Sequence, residues 1–337
     1  MRKRVKIVAE IGVNHNGSLE MALKMVEAAW RCGADAVKVQ VFRAEELATR
    51  EAEAAFYQKR NLPGTENQQE MLRRLELTRE DLEKLKAFCD RVGLEFIATP
   101  FDLPSLRLVA ELGVAAVKIS SGDLTALPFL RKVRETGKDV ILSTGMATLG
   151  EVEEALEVFR GYPGRITLLH CTSDYPARAE DVNLLAMVTL AHAFALPVGY
   201  SDHTQGWEVA VAAVALGAEM IEKHFTLDKT LPGPDHRASA DPEEFSALVA
   251  AVRKIEVALG DGRKRYTERE EEVRRLVRKS VVAARDIRAG EVIGEEDLAL
   301  RRPGTGLHPR YLDYFVGKRA VRDIKQDEQL HFSMVEG

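Results

Sequence analysis

Eight short apolar runs, each followed by a segment with helical periodicity, constrain the fold of this chain more than any other feature. Regular alternation of strands and helices over about 250 residues is typical of an α/β fold that closes into a (β/α)8 TIM barrel. A doubly wound open sheet is the alternative, but no Gly-rich dinucleotide fingerprint follows the first run. The runs are Val5–Glu10, Ala36–Val41, Glu95–Thr99, Ala116–Ser120, Val140–Thr144, Ile166–Cys171, Pro197–Ser201 and Met220–Phe225.

The character of the sequence changes after the eighth repeat. We predict a barrel domain of residues 1–262, a charged helical linker of residues 263–279 and a small β domain of residues 280–337. Within the small domain, Arg285–Glu291 returns as Arg322–Glu328, which predicts two similar lobes. A piece of this size buries little apolar surface by itself, so we expect it to pack against the barrel or a partner chain.

Charge, cysteine content and hydropathy exclude several classes of protein. The formal net charge of −5 argues against a general nucleic-acid binder. Three cysteines without framework spacing indicate a reduced, cytoplasmic protein. No apolar run approaches the roughly 18 residues of a membrane span, so we expect no membrane partner. The segment 42–77 is longer than a simple connection, and we expect it to cover the barrel mouth.

Polar side chains collect at the C-terminal ends of the predicted strands, where barrel enzymes carry their active sites. Lys38 and Lys118 are the most informative, because a lysine inside an apolar strand is costly to bury unless an anion neutralises it. They predict a site for a phosphate or carboxylate; ion pairs with Glu10 and Glu222 are the alternative. The strand-end residues are Glu10, Lys38, Gln40, Thr99, Lys118, Ser121, Ser143, Ser201, His203, Glu222 and His224.

Two histidines predict a metal site. His203 and His224 close the seventh and eighth runs with matching parity, so both imidazoles should point into the barrel mouth. Two protein nitrogens on one divalent metal would leave positions for water and substrate. The alternative is that both rings only make hydrogen bonds. For His15 and His170, a direct role in the site and a purely structural role both stay open. Asp202 either orients an imidazole through a hydrogen bond or only caps the loop after the seventh strand.

Glu10 is the best candidate for proton transfer. It is the only carboxylate on the first strand, and it should lie near the lysines and the metal. A structural ion pair with Lys38 is the alternative.

An ordered set of motifs resembles the sialic acid synthases, the N-acetylneuraminate synthase family. The segment 302–306 also resembles the antifreeze-like (SAF) domain, a β-clip, that these enzymes carry at the C-terminus. The motifs are Ala9–Gly17, Val37–Gln40, Lys118–Asp123, Leu142–Met146, His170–Thr172, Gly199–Thr204, Glu222–Phe225 and Pro232–Asp235.

The resemblance implies condensation of phosphoenolpyruvate with an N-acetylated amino sugar in a domain-swapped homodimer. His203 and His224 would hold a divalent metal, with Mn²⁺ favoured and Mg²⁺ or Co²⁺ as alternatives. Arg302 would be a catalytic residue delivered from the partner subunit. The phosphoenolpyruvate contacts would be Lys38, Lys118, Ser121 and Ser143. The groups around the reacting carbons and the sugar would be Glu10, Gln40, Tyr175, Glu222 and Asp235, with Thr99 and Ser201 as further substrate-binding candidates.

The identity of the amino sugar stays open at this level. N-acetylmannosamine, giving N-acetylneuraminic acid, is the first expectation. A 2,4-diacetamido-2,4,6-trideoxy hexose, giving legionaminic or pseudaminic acid, is the alternative, because Ser173 and the run Arg278–Ser280 depart from the sialic acid synthase pattern. A synthase that uses a phosphorylated sugar and a non-catalytic carbohydrate- or ice-binding module are further alternatives.

Overall fold

The first part of the chain is a closed barrel of eight parallel strands, which confirms the predicted fold. The computed structural model describes residues 4–54, 58–59, 62 and 67–336. The chain divides into two compact units, residues 1–261 and residues 262–337, and the barrel occupies the first. The strands are β1 (Lys6–Gly12), β2 (Ala36–Val41), β3 (Glu95–Pro100), β4 (Ala116–Ile119), β5 (Asp139–Ser143), β6 (Ile166–His170), β7 (Val198–Asp202) and β8 (Met220–His224).

Helices follow the strands and pack their apolar faces onto the outside of the barrel. Several helices begin where a polar side chain accepts a backbone N–H of the first turn, as Ser18, Thr78, Thr148 and Asp241 do. The helices of this unit are α1 (Leu19–Arg31), α2 (Ala44–Leu47), α3 (Gln68–Arg73), α4 (Arg79–Val92), α5 (Leu103–Glu111), α6 (Leu127–Glu135), α7 (Leu149–Glu157), α8 (Leu185–Phe194), α9 (Glu208–Ala215) and α10 (Pro242–Ala258).

Inside the barrel, an apolar layer of side chains is followed directly by a polar layer, two residues further along each strand. One buried layer consists of Val8, Ala36, Ile97, Ala116, Ile141, Leu169 and Met220. Side chains two positions apart on a strand share a face. The next inward positions on the same strands are therefore Glu10, Lys38, Thr99, Lys118, Ser143, Cys171 and Glu222. The apolar layer forms the floor on which the polar layer rests at the C-terminal ends of the strands.

The segment 42–77 between β2 and β3 builds its own small apolar cluster beside the barrel mouth. Its described residues contain α2 and α3. Val13 from the loop after β1 packs there with Phe42, Met71, Leu72 and Leu75, and all five side chains are buried. The insertion therefore has an apolar anchor on the rim of the barrel.

The second unit is a small domain with its own core. It contains α11 (Glu268–Val277), an antiparallel pair formed by β9 (Ser280–Ala283) and β10 (Leu298–Arg301), and α12 (Leu312–Phe315). The predicted linker helix, α11, thus falls within this unit. The fully buried core residues include Val281, Ala283, Ile287, Ile293, Phe315, Ile324 and Leu330.

The internal repeat of the second unit has a structural counterpart. Ile287 and Ile324 face each other in an antiparallel bridge. Arg285 pairs with Glu291 at 2.7 Å, and in the other copy Arg322 pairs with Glu328, also at 2.7 Å. The two copies of the motif therefore make equivalent ion pairs and face each other in the structure.

Two global features of the described residues bear on the sequence analysis. None of their helices combines the length and the apolar character that crossing a bilayer requires. Cys32, Cys89 and Cys171 are free thiols.

Candidate active site

A cavity of about 460 Å³ opens at the C-terminal ends of the strands. It brings together most of the residues that the sequence analysis singled out. The predicted site residues that line it are Lys38, Gln40, Thr99, Lys118, Ser121, Ser143, Tyr175, Ser201, His203, Glu222, His224 and Asp235. Glu10 is fully buried and contacts the lining residues Lys38 and Gln40. The tertiary structure therefore gathers these positions from all eight strands or the loops after them.

Lys38 is the paired lysine of the cavity. Its Nζ lies 2.5 Å from Oε2 of Glu10 and 3.7 Å from Oε2 of Glu222. Burial works to lower the pKa of Lys38, but the two carboxylates together outweigh it and raise that pKa. Burial also raises the pKa of Glu10 against the opposing effect of the Lys38 ammonium. The ion pair with Glu10, which the sequence left as an alternative, is therefore present.

Lys118 is less well neutralised. Its Nζ lies 4.0 Å from Oε1 of Glu222 and donates to the carbonyl of Ile119 at 3.2 Å. Burial lowers its pKa, and the Glu222 carboxylate only partly compensates. A buried ammonium without a close counter-charge is stabilised by an incoming anion. The structure therefore supports an anion site centred on Lys118.

Hydroxyl groups surround the lysines. Thr99 accepts from Lys38 Nζ at 3.4 Å, and Ser121 accepts from the backbone N–H of Gly145 at 3.0 Å. Ser201 donates to Glu222 at 2.9 Å, which leaves the opposite carboxylate oxygen facing Lys38. These groups can exchange their present bonds for bonds to phosphate or carboxylate oxygens of a ligand.

The two imidazoles lie side by side in the cavity wall. The ring centroids of His203 and His224 are 5.4 Å apart. His203 donates from Nδ1 to the carbonyl of Thr172 at 2.6 Å, so Nε2 is its lone-pair nitrogen, 3.3 Å from the Ser201 hydroxyl. Nδ1 of His224 is buried without a hydrogen-bond partner among the residues described.

The protonation states of both rings suit metal binding. Burial lowers the pKa of His203 to about 4. Burial and the neighbouring His203 lower the pKa of His224 well below its ordinary value. Neutral imidazoles offer the lone pairs that a divalent cation needs. Within the described part of the chain, no group of three or more His, Cys, Asp or Glu side chains could hold a metal ion. A cation held by the two imidazoles alone would leave its other positions to water and substrate.

Tyr175 and Asp235 complete this wall. The Tyr175 ring lies 4.2 Å from that of His203 and 5.4 Å from that of His224, between centroids. Oδ2 of Asp235 lies 3.7 Å from Nδ1 of His224. Burial, helped by the charge of Glu10, raises the pKa of Asp235 to about 7. Asp235 can therefore donate or accept a proton near neutral pH.

Other residues lie outside the cavity lining. Arg302 is exposed on the second unit. His15 is fully buried, and its Nδ1 accepts from the N–H of Gly17 at 3.1 Å. His170 contacts the carbonyl of Val182 at 2.7 Å and lines a neighbouring cavity. Asp202 binds Thr204 and Lys223, so it is a cap and ion-pair partner rather than a direct partner of an imidazole.

One buried charge beside the site, that of Lys223, is not among the residues predicted from the sequence. Lys223 lies between Glu222 and His224 and is 2% exposed. The signal was available, because a lysine in an apolar strand needs a buried partner wherever it points. Strand parity places Lys223 on the face of β8 opposite the one that Glu222 and His224 share.

The burial of His15 has a consequence for stability. Burial lowers its pKa to about 4, against roughly 6.5 in an unfolded chain. Between these values the unfolded state binds a proton that the folded state does not. Stability should therefore fall by on the order of 1–3 kcal/mol as the pH drops from 7 to 4.5. Urea unfolding across this range measures the effect. His15→Gln should make the dependence shallower, while the other buried histidines still contribute to it. His192→Gln, at an exposed position, should leave the dependence unchanged. An equal slope in wild type and His15→Gln would refute this assignment.

Residues 25–264 match the NeuB family, and residues 278–336 match the SAF domain. The N,N'-diacetyllegionaminic acid synthase of Campylobacter jejuni is 46% identical over 97% of this chain and 98% of that protein. The N,N'-diacetyllegionaminic acid synthase of Legionella pneumophila is 47% identical over 98% of this chain and 94% of that protein. Human N-acetylneuraminate-9-phosphate synthase is 34% identical over 98% of this chain and 92% of that protein.

A solved structure gives the same result. The N-acetylneuraminic acid (sialic acid) synthetase of Leptospira borgpetersenii superposes with a TM-score of 0.71 at 35% identity. The superposition covers 80% of this chain and 90% of that one. The matches span both the barrel and the small domain. This chain is an enzyme of the sialic acid synthase type and belongs to the NeuB family.

Proposed function

We propose that this chain condenses phosphoenolpyruvate with a 2,4-diacetamido-2,4,6-trideoxy hexose in a reaction that depends on a divalent metal. The products would be an N,N'-diacetyllegionaminic-type acid and inorganic phosphate. One observation carries the proposal: a single cavity holds the incompletely paired ammonium of Lys118 beside the two neutral imidazoles of His203 and His224. The first feature suits a doubly charged enol phosphate, and the second suits a cation that binds an aldehyde oxygen.

The reaction forms a C–C bond to the sugar and a C–O bond to water, and it breaks the C–O bond to phosphate. The methylene carbon of phosphoenolpyruvate attacks the aldehyde carbon of the open-chain sugar. Water adds to the carbon that bears the phosphate oxygen, and phosphate leaves from the resulting tetrahedral centre. Lys38 and Lys118 would hold the anionic groups and orient the enol for attack. His203 and His224 would hold the divalent cation, Mn²⁺ by preference, which when bound polarises the sugar aldehyde.

Glu10 is the residue best suited to take the proton of the attacking water. Its raised pKa makes the carboxylate a stronger base than an exposed one. Gln40 donates to its Oε1 at 3.2 Å, and Lys38 holds Oε2 at 2.5 Å, so the group is fixed in place. When an anion binds the lysines, the charge of Lys38 is shared with it and Glu10 becomes more basic.

The wall above the polar layer favours an unphosphorylated, deoxygenated acceptor. On the side of the insertion the cavity is lined mainly by the apolar Leu47, Met71, Leu72 and Leu75, with the amides of Gln58 and Gln68 among them, and Phe101 after β3 extends this wall. No arginine is among the described lining residues, and the lining lysines belong to the polar layer at the strand ends. An apolar wall suits the C6 methyl and acetamido methyl groups of a trideoxy sugar, whereas a sugar phosphate needs a second cationic pocket.

The comparisons support the same acceptor. The two legionaminic acid synthases are 46% and 47% identical to this chain, against 34% for the human synthase of a phosphorylated product. The first expectation, N-acetylmannosamine, is therefore less well supported than the alternative. A synthase for a sugar phosphate has no supporting observation in the cavity.

A panel of acceptors tests the choice of sugar. We expect kcat/KM for a 2,4-diacetamido-2,4,6-trideoxy hexose to exceed that for N-acetylmannosamine by about 10–100-fold, because apolar contacts discriminate on this scale. Leu75→Gln should narrow this ratio while the KM for phosphoenolpyruvate stays constant. Leu216→Gln, an exposed leucine elsewhere on the barrel, is the matched control. A wild-type preference for N-acetylmannosamine, or for its 6-phosphate, would contradict the proposed acceptor.

We further propose that the enzyme works as a cytoplasmic, domain-swapped homodimer. The resemblance that places Arg302 opposite a partner's cavity supports this arrangement, and Arg302 is exposed on its own unit. Free cysteines fit a reducing compartment. Arg302 would bind an anionic group of phosphoenolpyruvate and exclude water from the reacting carbons.

A further inference from the structure

The two imidazole-bearing strands are joined by a buried ion pair on the face opposite the cavity. Ser201 is paired with Glu222 in the β7–β8 register, and the next pair is Asp202 with Lys223. The first pair points into the cavity, so the second points away from it. Asp202 is 1% and Lys223 is 2% exposed.

One ammonium group anchors the chain on both sides of His203. Lys223 Nζ donates to Oδ2 of Asp202 at 2.8 Å and to the carbonyl of Thr204 at 2.5 Å. Oδ1 of Asp202 accepts from the backbone N–H of Thr204 at 2.9 Å and from its hydroxyl at 2.7 Å. Lys223 itself directly precedes His224. The backbones that carry the two imidazoles are thus tied to each other through a single side chain.

Fold stability does not by itself explain this pair. Taking two charges out of water costs several kcal/mol per ion, and well-packed apolar residues of similar volume are often as stable. Neighbouring strands of the barrel are held together by their backbone hydrogen bonds in any case. An ion pair with several directional bonds does, however, define a separation and an orientation that apolar contacts leave loose.

We propose that Asp202 and Lys223 are positioning residues that hold the imidazoles of His203 and His224 at the separation required for one divalent cation. This inference rests on the proposed metal-dependent function. The Thr172 carbonyl sets the rotation of the His203 ring from one side. The Lys223 network sets the position of its backbone from the other. Substitution of residues that orient metal ligands typically weakens metal binding by about 10–100-fold.

Calorimetric titration of the full-length protein with MnCl₂, without substrates, tests the inference. We expect Lys223→Met and the isosteric Asp202→Asn to bind Mn²⁺ on the order of 10-fold or more weakly than wild type. The matched control is Arg165→Met, which breaks an ion pair to Glu219 at 2.6 Å just before the start of β8. This control should bind Mn²⁺ as wild type does. Thermal unfolding of all variants, measured with EDTA, separates loss of affinity from loss of fold.

The outcomes are distinguishable. Weaker Mn²⁺ binding in folded Asp202→Asn, with unchanged binding in the control, supports the inference. Wild-type affinity in folded Asp202→Asn or Lys223→Met overturns it and leaves the proposed function standing. If Lys223→Met does not fold, the Asp202→Asn titration decides. A wild-type protein that binds no Mn²⁺ overturns the metal-dependent function and this inference together.

Discussion

Replacing His203 or His224 by alanine is expected to lower kcat by about 10³-fold or more. A bound cation stabilises the charge that develops on the aldehyde oxygen by several kcal/mol, and each 1.4 kcal/mol corresponds to about tenfold in rate. With one imidazole missing, the remaining nitrogen cannot hold the cation at useful concentrations. Phosphate release from phosphoenolpyruvate in the presence of the amino sugar measures the effect. Addition of EDTA to the wild-type enzyme should reproduce it.

The matched control for this experiment is His170→Ala. His170 lies on the neighbouring strand β6, but it contacts the carbonyl of Val182 and does not line the active cavity. All three variants lose a ring of the same size, so a general packing defect would affect them alike. We expect only the His203 and His224 variants to lose Mn²⁺ binding. Wild-type turnover in either of them would remove the metal assignment.

Arg302→Ala is expected to lower kcat/KM by about 10²–10³-fold, because one charged contact to the transition state contributes on this scale. Arg301→Ala is the matched control, since Arg301 pairs with Asp327 within its own unit. The control should retain activity near that of wild type. Equal activity of the two variants would exclude a role for Arg302 in the reaction.

Mixed dimers show whether Arg302 acts across the subunit boundary. Arg302→Ala and His203→Ala chains are each inactive alone. Random exchange of equal amounts makes half of the dimers mixed, and a swapped mixed dimer has one site with a wild-type cavity and a wild-type Arg302. Activity should therefore recover to about one quarter of wild type. No recovery after exchange has been verified by mass spectrometry would show that Arg302 serves its own barrel or none.

Much of the fold and the site could be predicted because short-range patterns encode them. The eight strands were recognisable from apolar runs of strand length between helical segments. The period of two along a strand then places Lys38 above Ala36 and Glu222 above Met220, so an apolar layer predicts where the polar layer begins. The same parity predicts that His203 and His224 lie on one wall of the cavity, and their ring centroids are 5.4 Å apart in the structure.

The contacts that decide the chemistry depend on which strands lie side by side in the barrel. The sequence left open whether Lys38 or Lys118 would be neutralised, and the structure pairs Lys38 with Glu10 while Nζ of Lys118 stays 4.0 Å from the carboxylate of Glu222. The burial of Glu10 and the apolar wall of the insertion likewise depend on packing between segments that are distant in the chain.

The amino-acid sequence by itself determined the repeated strand–helix order, the face on which each functional side chain lies and the family to which the chain belongs. Only the tertiary structure decided which charges meet, including the pairing of Lys223 with Asp202 behind the imidazoles. The physical reason is the separation along the chain of the residues that interact. Strand parity is a property of adjacent residues, whereas ion pairing and pKa depend on groups that are distant in the chain and become neighbours only when the strands pair, as β7 and β8 do for Asp202 and Lys223.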